Sequence, residues 1–143
     1  MAQVSLLYES LLVASRVIIG ALSKRQQLRI KQLFMARSDI NLVGPISDAV
    51  ELLMAVREVN AAAVILPLDK SGGEPGLCSH LLAEFPGLLV LAISTRGEHF
   101  FLFDQAISRT ELLDPGRAIV SLIGSERQGI RRSGLIPGKR YES

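Results

Sequence analysis

Between residues 16 and 68, three short apolar runs alternate with two stretches of helical character, and this alternation is the strongest constraint on the fold. Val17-Ile18-Ile19 is a β-branched run that ends at Gly20. Lys24 to Arg37 is charged and helical in period, with Ile30, Leu33 and Phe34 on its inner side and Lys24, Arg25, Arg29 and Arg37 outside. Asn41-Leu42-Val43-Gly44 is a second apolar run. Asp48 to Asn60 reads as a second helix. Ser47 or Asp48 caps it, Asp48 and Glu51 have capping-box spacing, and Ala49, Leu52, Leu53 and Val56 form its apolar stripe. Ala61 to Leu66 is the third run, broken at Pro67. Apolar strands alternating with helices predict a parallel sheet covered on both faces. Open sheets of this kind place their sites at the carboxyl ends of the strands.

A competing parse makes Val4 to Tyr8 the first strand and Ser10 to Met35 one long helix. The β propensity of Val17-Ile18-Ile19 opposes it, as does Gly20, which weakens a helix by roughly 1 kcal/mol. Val4, Leu7, Tyr8 and Leu11 instead mark one face of an N-terminal helix whose other side carries Leu6, Leu12 and Val13. A helix apolar nearly all round packs on its own sheet or is shared with a partner. Leu7, Tyr8 and Leu11 are therefore the candidate homodimer contact.

Beyond Pro67 the chain enters a loop rich in turn residues (Gly72, Gly73, Pro75, Gly76), with Pro75 suited to the first turn of the next helix. Cys78, Leu81, Leu82 and Phe85 repeat at helical spacing. Leu88 to Ile93 is the fourth strand, ending in Ser94-Thr95. Phe100, Phe101 and Phe103 fit a short strand or one helical turn, and Gln105 to Ser108 fits a short edge strand. Asp114-Pro115 is a strong helix start, and Ala118, Ile119, Leu122 and Ile123 give the last helix its core face.

A chain of 143 residues is long enough for one domain with a real core. Its one cysteine rules out an internal disulfide framework and suits a reducing compartment. No basic residue precedes the apolar start, as a signal peptide would require, and Lys24 and Arg25 interrupt the first apolar stretch before it reaches membrane length. The expected location is cytoplasmic, without a membrane contact. The net charge of +2 conceals an asymmetry. Residues 126–143 carry Arg127, Arg131, Arg132, Lys139 and Arg140 against Glu126 and Glu142, which makes +3 there and leaves −1 for the rest. Such a basic tail is a solvated end or a contact for phosphates or acidic lipids. No aromatic platform interleaves with it. Cys78 reads as a small buried apolar side chain, and His80, two residues away, points elsewhere on a helix. His99, with Glu98 and Asp104 nearby, is a loose polar group. No catalytic constellation, metal cluster or cofactor motif stands out; Gly20 to Lys24 has one glycine where phosphate cradles need two or three. The chain is not expected to be an enzyme or to carry a cofactor.

The order of these elements resembles the receiver domain of two-component response regulators, closest to the subfamily that usually carries a C-terminal helix-turn-helix. The resemblance rests on Arg16-Val17-Ile18-Ile19, Asp39-Ile40-Asn41-Leu42-Val43-Gly44, Ser47-Asp48-Ala49-Val50-Glu51-Leu52, Ala63-Val64-Ile65-Leu66 and Phe85-Pro86-Gly87-Leu88-Leu89-Val90-Leu91. It covers about half of the chain well. It implies an α/β fold of three layers, α/β/α, around a central, mainly parallel, five-stranded CheY-like sheet. An N-terminal helix would occupy residues 1–14, the receiver-like domain 15–125 and the basic tail 126–143.

The departures from the family matter more. Receivers hold Mg²⁺ and an aspartyl phosphate in a cluster of acids, because Mg²⁺ requires hard oxygen ligands. The resemblance puts Ala21 and Leu22 at the acidic pair and Pro67 at the phosphoacceptor. Ser94 or Thr95 matches the hydroxyl after the fourth strand, Arg109 matches the lysine after the fifth if Gln105 to Ser108 is that strand, and the helix between those strands looks shortened. Asp69 lies two residues past the acceptor position. A slipped strand would bring it near the pocket as a carboxylate nucleophile, but without acids to hold the metal; otherwise it is a turn acid. The expectation is a degenerate pseudo-receiver that regulates through a homodimer and an unidentified protein partner. The alternatives are a nucleic-acid-binding regulator using the basic tail, and a fragment of a longer DNA-binding response regulator.

Overall fold

Each apolar run becomes a strand in the computed structural model, which describes residues 15–69, 75–104 and 109–128. β1 (Ser15–Ile19) stops at Gly20, where an added Cβ would lie 2.8 Å from Leu66 Cδ2 and would oblige that side chain to shift. α1 (Lys24–Phe34) follows, started by a reciprocal capping box: Ser23 Oγ accepts from the Gln26 N–H at 3.1 Å, and Gln26 Oε1 accepts from the Ser23 N–H at 2.9 Å. β2 (Ile40–Val43) leads into α2 (Ala49–Val59), where the Asp48 carboxylate caps the helix by accepting from the Glu51 N–H at 2.9 Å. Asn60 ends α2 in the left-handed conformation that asparagine tolerates. β3 (Ala63–Pro67), α3 (Cys78–Glu84) and β4 (Leu89–Ile93) continue the alternation. β5 (Phe100–Phe103), β6 (Arg109–Leu112) and α4 (Pro115–Gln128) complete the described chain, with Asp114 Oδ1 accepting from the Arg117 N–H at the start of α4.

The six strands form one sheet in the order β2-β1-β3-β4-β5-β6. β2, β1, β3 and β4 are parallel; β5 is antiparallel to β4, and β6 to β5. Alternation along the strands divides the core in two. Val17, Ile19, Ile65, Leu91 and Ile93 face α1 (Ile30, Phe34) and α4 (Ile119). Ile18, Val64, Leu66, Val90 and Ala92 face α2 (Leu52, Val56) and α3 (Cys78, Leu81, Leu82). The fold is therefore the expected three-layer α/β/α arrangement with a mostly parallel sheet. Strand order 2-1-3-4 in its parallel part is that of the doubly wound, flavodoxin-like class.

Two details differ from expectation. Among the described residues the sheet has six strands rather than five, because Phe100–Phe103 is a strand of its own. No helix separates β4 from β5. The link from Ser94 to His99 is far shorter than the dozen or so residues that a parallel crossover needs, so the chain turns back as a hairpin. The strand expected at Gln105 to Ser108 falls outside the described residues; the outermost strand seen is Arg109–Leu112. α4 runs to Gln128. The N-terminal helix at 1–14 and the tail from 129 onward also lie outside the described residues.

Candidate functional site

In this strand order the chain first steps from β1 outward to β2, then returns across β1 to β3. The connections leaving β1 and β3 thus run to opposite faces, and a crevice opens between them at their carboxyl ends. That crevice is present, with a volume of about 490 Å³. Gly20 and Ala21 form its wall from the β1 end, Leu66 to Asp69 from the β3 end, and Ile46, Ser47 and Leu52 from the start of α2. Pro75 to Leu77, just before α3, close the remaining side.

Backbone hydrogen bonds hold the rim. The Ile46 N–H donates to Ile19 O at 3.0 Å, pinning the β2–α2 loop to the end of β1. Gly44 makes that approach sterically feasible: it sits at φ +112°, and a Cβ there would lie 2.7 Å from Ile19 O. The Gly44–Pro45 peptide is cis. On the other side, the Leu68 N–H donates to Ile93 O at 2.9 Å, extending the β3–β4 ladder past Pro67. Proline is tolerated as the last strand residue because the next bond to β4 comes from the Leu68 N–H, while the pairing of β3 with β1 has already ended at Ile65.

The walls are mostly apolar. Among the described residues lining the crevice, Asp69 is the only ionisable one. The adjoining helix N-terminus, an ordinary anion site, is already capped by the Asp48 carboxylate.

Three of the six residues placed at the receiver pocket meet here: Ala21, Pro67 and Asp69. The other three do not. Leu22 is turned into the core on the α1 side of the sheet and is buried. Its neighbour Ala21 takes the crevice because consecutive residues leaving a strand point to opposite sides. Ser94 serves the β4–β5 turn: its Oγ accepts from the backbone N–H groups of Glu98 and His99, at 3.1 and 3.0 Å. Its carbonyl accepts from the Gln26 amide at 3.0 Å, as does the Ile93 carbonyl at 3.3 Å. Arg109 opens β6 instead of following a strand. It pairs with Phe103, which pairs with Val90, and so lies toward the amino ends of the parallel strands. The hairpin causes this displacement by reversing the chain after β4. There the Arg109 guanidinium stacks on Phe101, 4.7 Å from the ring centroid.

The remaining polar candidates stay apart. Cys78 is fully buried in the α2–α3 side of the core, and His80 is exposed near Glu84. His99 Nδ1 lies 2.7 Å from Glu111 Oε2 across the β5–β6 pair. Among the described residues no group of three or more His, Cys, Asp or Glu side chains gathers as a metal site. No described helix is long and apolar enough to cross a membrane. Leu7, Tyr8 and Leu11 lie outside the described residues.

Reading the sequence position by position missed Ile46, Ser47, Leu52 and the segment Pro75 to Leu77. The signal for them is topological: once the strand order is 2-1-3, the loops after β1, β2 and β3 must all border the crevice.

No family model matches the sequence, and no curated protein is similar enough to match it. Among solved structures the chain is similar to the Salmonella typhimurium RcsB response regulator, from work on conformational dynamism for DNA interaction. The TM-score is 0.47 and the identity 22%, over 57% of this chain and 42% of that one. The chain thus spans less than half the length of that regulator.

Proposed function

We propose that the protein is a receiver-like regulatory module of the cytoplasm, acting in signal transduction or transcriptional control through protein contacts and without phosphorylation. One observation carries this reading. The crevice at the β1/β3 switch point presents Ala21 and Pro67 where a receiver needs carboxylates, and neither side chain has an oxygen for Mg²⁺ or phosphorus. Asp69 supplies one carboxylate at the rim, whereas the metal and the transferred phosphoryl group need several. Thermal melting of the full chain with and without Mg²⁺ plus beryllofluoride, a mimic of the aspartyl phosphate, tests the reading. A ligand of the native state raises the midpoint by mass action. No shift is expected. A shift that disappears in Asp69→Asn would identify a working phosphoacceptor and overturn the proposal.

The output of such a module is a contact, and a homodimer through Leu7, Tyr8 and Leu11 is the form we propose. The outer side of α1 supports a contact-based role: Leu28 (57% exposed) and Met35 (79% exposed) flank an apolar groove beside the outermost parallel strand, β2. Sedimentation equilibrium of the full chain should show a dimer that Leu7→Glu with Leu11→Glu dissociates. A strictly monomeric wild-type chain would remove this part of the reading.

A further inference from the structure

We infer that residues 1–14 of this chain fold back onto their own domain and fill the groove between α1 and β2, with Leu6 and Val13 on its apolar walls and Glu9 beside Lys31. The inference goes beyond the reading above and holds whether or not two copies associate.

The groove has a volume of about 610 Å³. α1 lines it with Leu28, Lys31, Gln32 and Met35, and β2 with Ile40 and Leu42. The chain itself leads to this place. The Ser15 N–H donates to Asp39 O at 2.9 Å, and Ser15 is paired with Ile40. Residue 14 therefore joins β1 about one strand spacing, ~4.8 Å, from the strand that lines the groove. Residues 1–14 lie outside the described residues, and their sequence says what they bring.

A helix shorter than about 12–15 residues is marginal in water and needs a surface to pack on. The predicted N-terminal helix has two apolar faces. Leu7, Tyr8 and Leu11 mark one, and Leu6, Glu9 and Val13 fall on the opposite one. On α1, Leu28, Lys31 and Met35 repeat the second spacing, three residues and then four. In both stripes the outer members are apolar and the middle one is charged, with opposite signs.

Direction fixes how the stripes meet. The N-terminal segment runs toward the amino end of β1, and α1 runs toward the amino end of β2, which is parallel to β1. The two helices thus run the same way, so Leu6 falls at the Leu28 end, Val13 at the Met35 end and Glu9 level with Lys31. Lys31 makes no ion pair with a described residue, and Glu9 is the one charged side chain between residues 1 and 14. The other end of the chain suits the groove less well. Residues 129–143 carry Arg131, Arg132, Lys139 and Arg140 against Glu142, and would set like charges on Lys31. Docked in this way, the segment turns Leu7, Tyr8 and Leu11 outward, where the homodimer contact proposed above needs them.

Two native methionines report on the groove. Met35 lies at its rim and is 79% exposed among the described residues, whereas Met54 on α2 is 50% exposed. Methionine oxidation follows exposure, so an open groove makes Met35 the faster of the two. The full chain is treated with hydrogen peroxide, and each sulfoxide is followed by peptide mass. Met35 is expected to oxidise at least about fivefold more slowly than Met54 at every protein concentration. Leu6→Asp with Val13→Asp should raise the Met35 rate to that of Met54 or above and leave the Met54 rate unchanged, which shows that the domain is still folded. Where that variant unfolds, Glu9→Lys should raise the Met35 rate and Lys31→Glu in the same chain should restore protection. Leu7→Glu with Leu11→Glu should leave Met35 protected. Met35 reacting as fast as Met54 in wild type would overturn the inference, as would protection that survives both the double aspartate variant and Glu9→Lys. Protection lost on dilution, or lost in Leu7→Glu with Leu11→Glu, would also overturn it, because the cover would then come from a second copy. A monomeric wild type with Met35 protected would remove the homodimer contact alone.

Discussion

The sheet has two unlike halves. In β1, β3 and β4 the interior residues are buried on both faces, by α1 and α4 on one side and α2 and α3 on the other. In β6 the residues read Arg109-Thr110-Glu111-Leu112, and the first three are exposed. The parallel half needs long crossovers, and each crossover contributes a helix that covers the strands it connects. The β4–β5 link is too short for one, so the hairpin half forms without a covering helix of its own. Charged side chains then close the sheet edge against unwanted pairing. The crevice belongs to the half with crossovers, because only there do successive connections diverge to opposite faces. The switch point therefore lies wholly within the part of the sheet that is joined by crossovers.

Substitutions can test this division. The largest effect should come from Ile65→Ala, which removes a fully buried side chain from the central strand β3. It should cost about 2–5 kcal/mol by urea unfolding. Thr110→Ala, on the exposed strand β6, should stay within about 0.5 kcal/mol. Equal costs would mean that the hairpin carries as much of the core as the parallel half. Next comes the crevice rim. Gly44→Ala forces a Cβ onto a backbone at φ +112° and within 2.7 Å of Ile19 O. We expect a loss of about 1–3 kcal/mol in thermal unfolding, and an unaffected midpoint would mean that the loop need not lie against β1.

The junction between the halves is held by Gln26, which is buried and donates to the carbonyls of Ile93 and Ser94. Gln26→Leu should cost about 1–3 kcal/mol, because it leaves those carbonyls without this donor and removes half of the capping box. Faster amide exchange in the Ser94–His99 turn should accompany the loss. The smallest effect concerns acid. Arg37 donates to both carboxylate oxygens of Asp39 at 3.2 Å, and this hydrogen bond holds the Asp39 carboxyl below its usual range. The folded state then binds that proton less readily than the unfolded chain. The contribution is present above the ordinary carboxylate pKa near 3.9 and fades as pH falls through the lowered folded value. Both groups are substantially exposed, so the effect is small. Asp39→Asn should flatten the acid limb of the stability profile while the midpoint at neutral pH changes little.

The candidate site was legible in part. Ala21, Pro67 and Asp69 line one crevice because they sit at strand ends, and strand ends follow from apolar runs. Leu22 was misplaced by one step of side-chain alternation, which depends on the angle at which the chain leaves β1. Arg109 was misplaced because its position depends on whether β5 runs parallel or antiparallel, and Phe100 to Phe103 are apolar enough for either. Ser94 was expected to face the pocket, but its hydroxyl is engaged within the β4–β5 turn.

Local patterns alone determined the three apolar strands from β1 to β3, the two helices between them, the cap at Asp48 and the absence of carboxylates at Ala21 and Pro67. These depend on residue type and short-range spacing, which are written in consecutive positions. The capping box of Ser23 and Gln26 was equally local, yet it passed unnoticed in the periodicity of its helix. Tertiary structure decided the strand order, the direction of β5, and the meeting of Ile46, Leu52 and Leu77 with the ends of β1 and β3. Those outcomes depend on which segments pair at a distance and on how a sheet twists between its covering helices. The physical reason is that burial is a property of the assembled layers, so no single run of residues specifies what will face it.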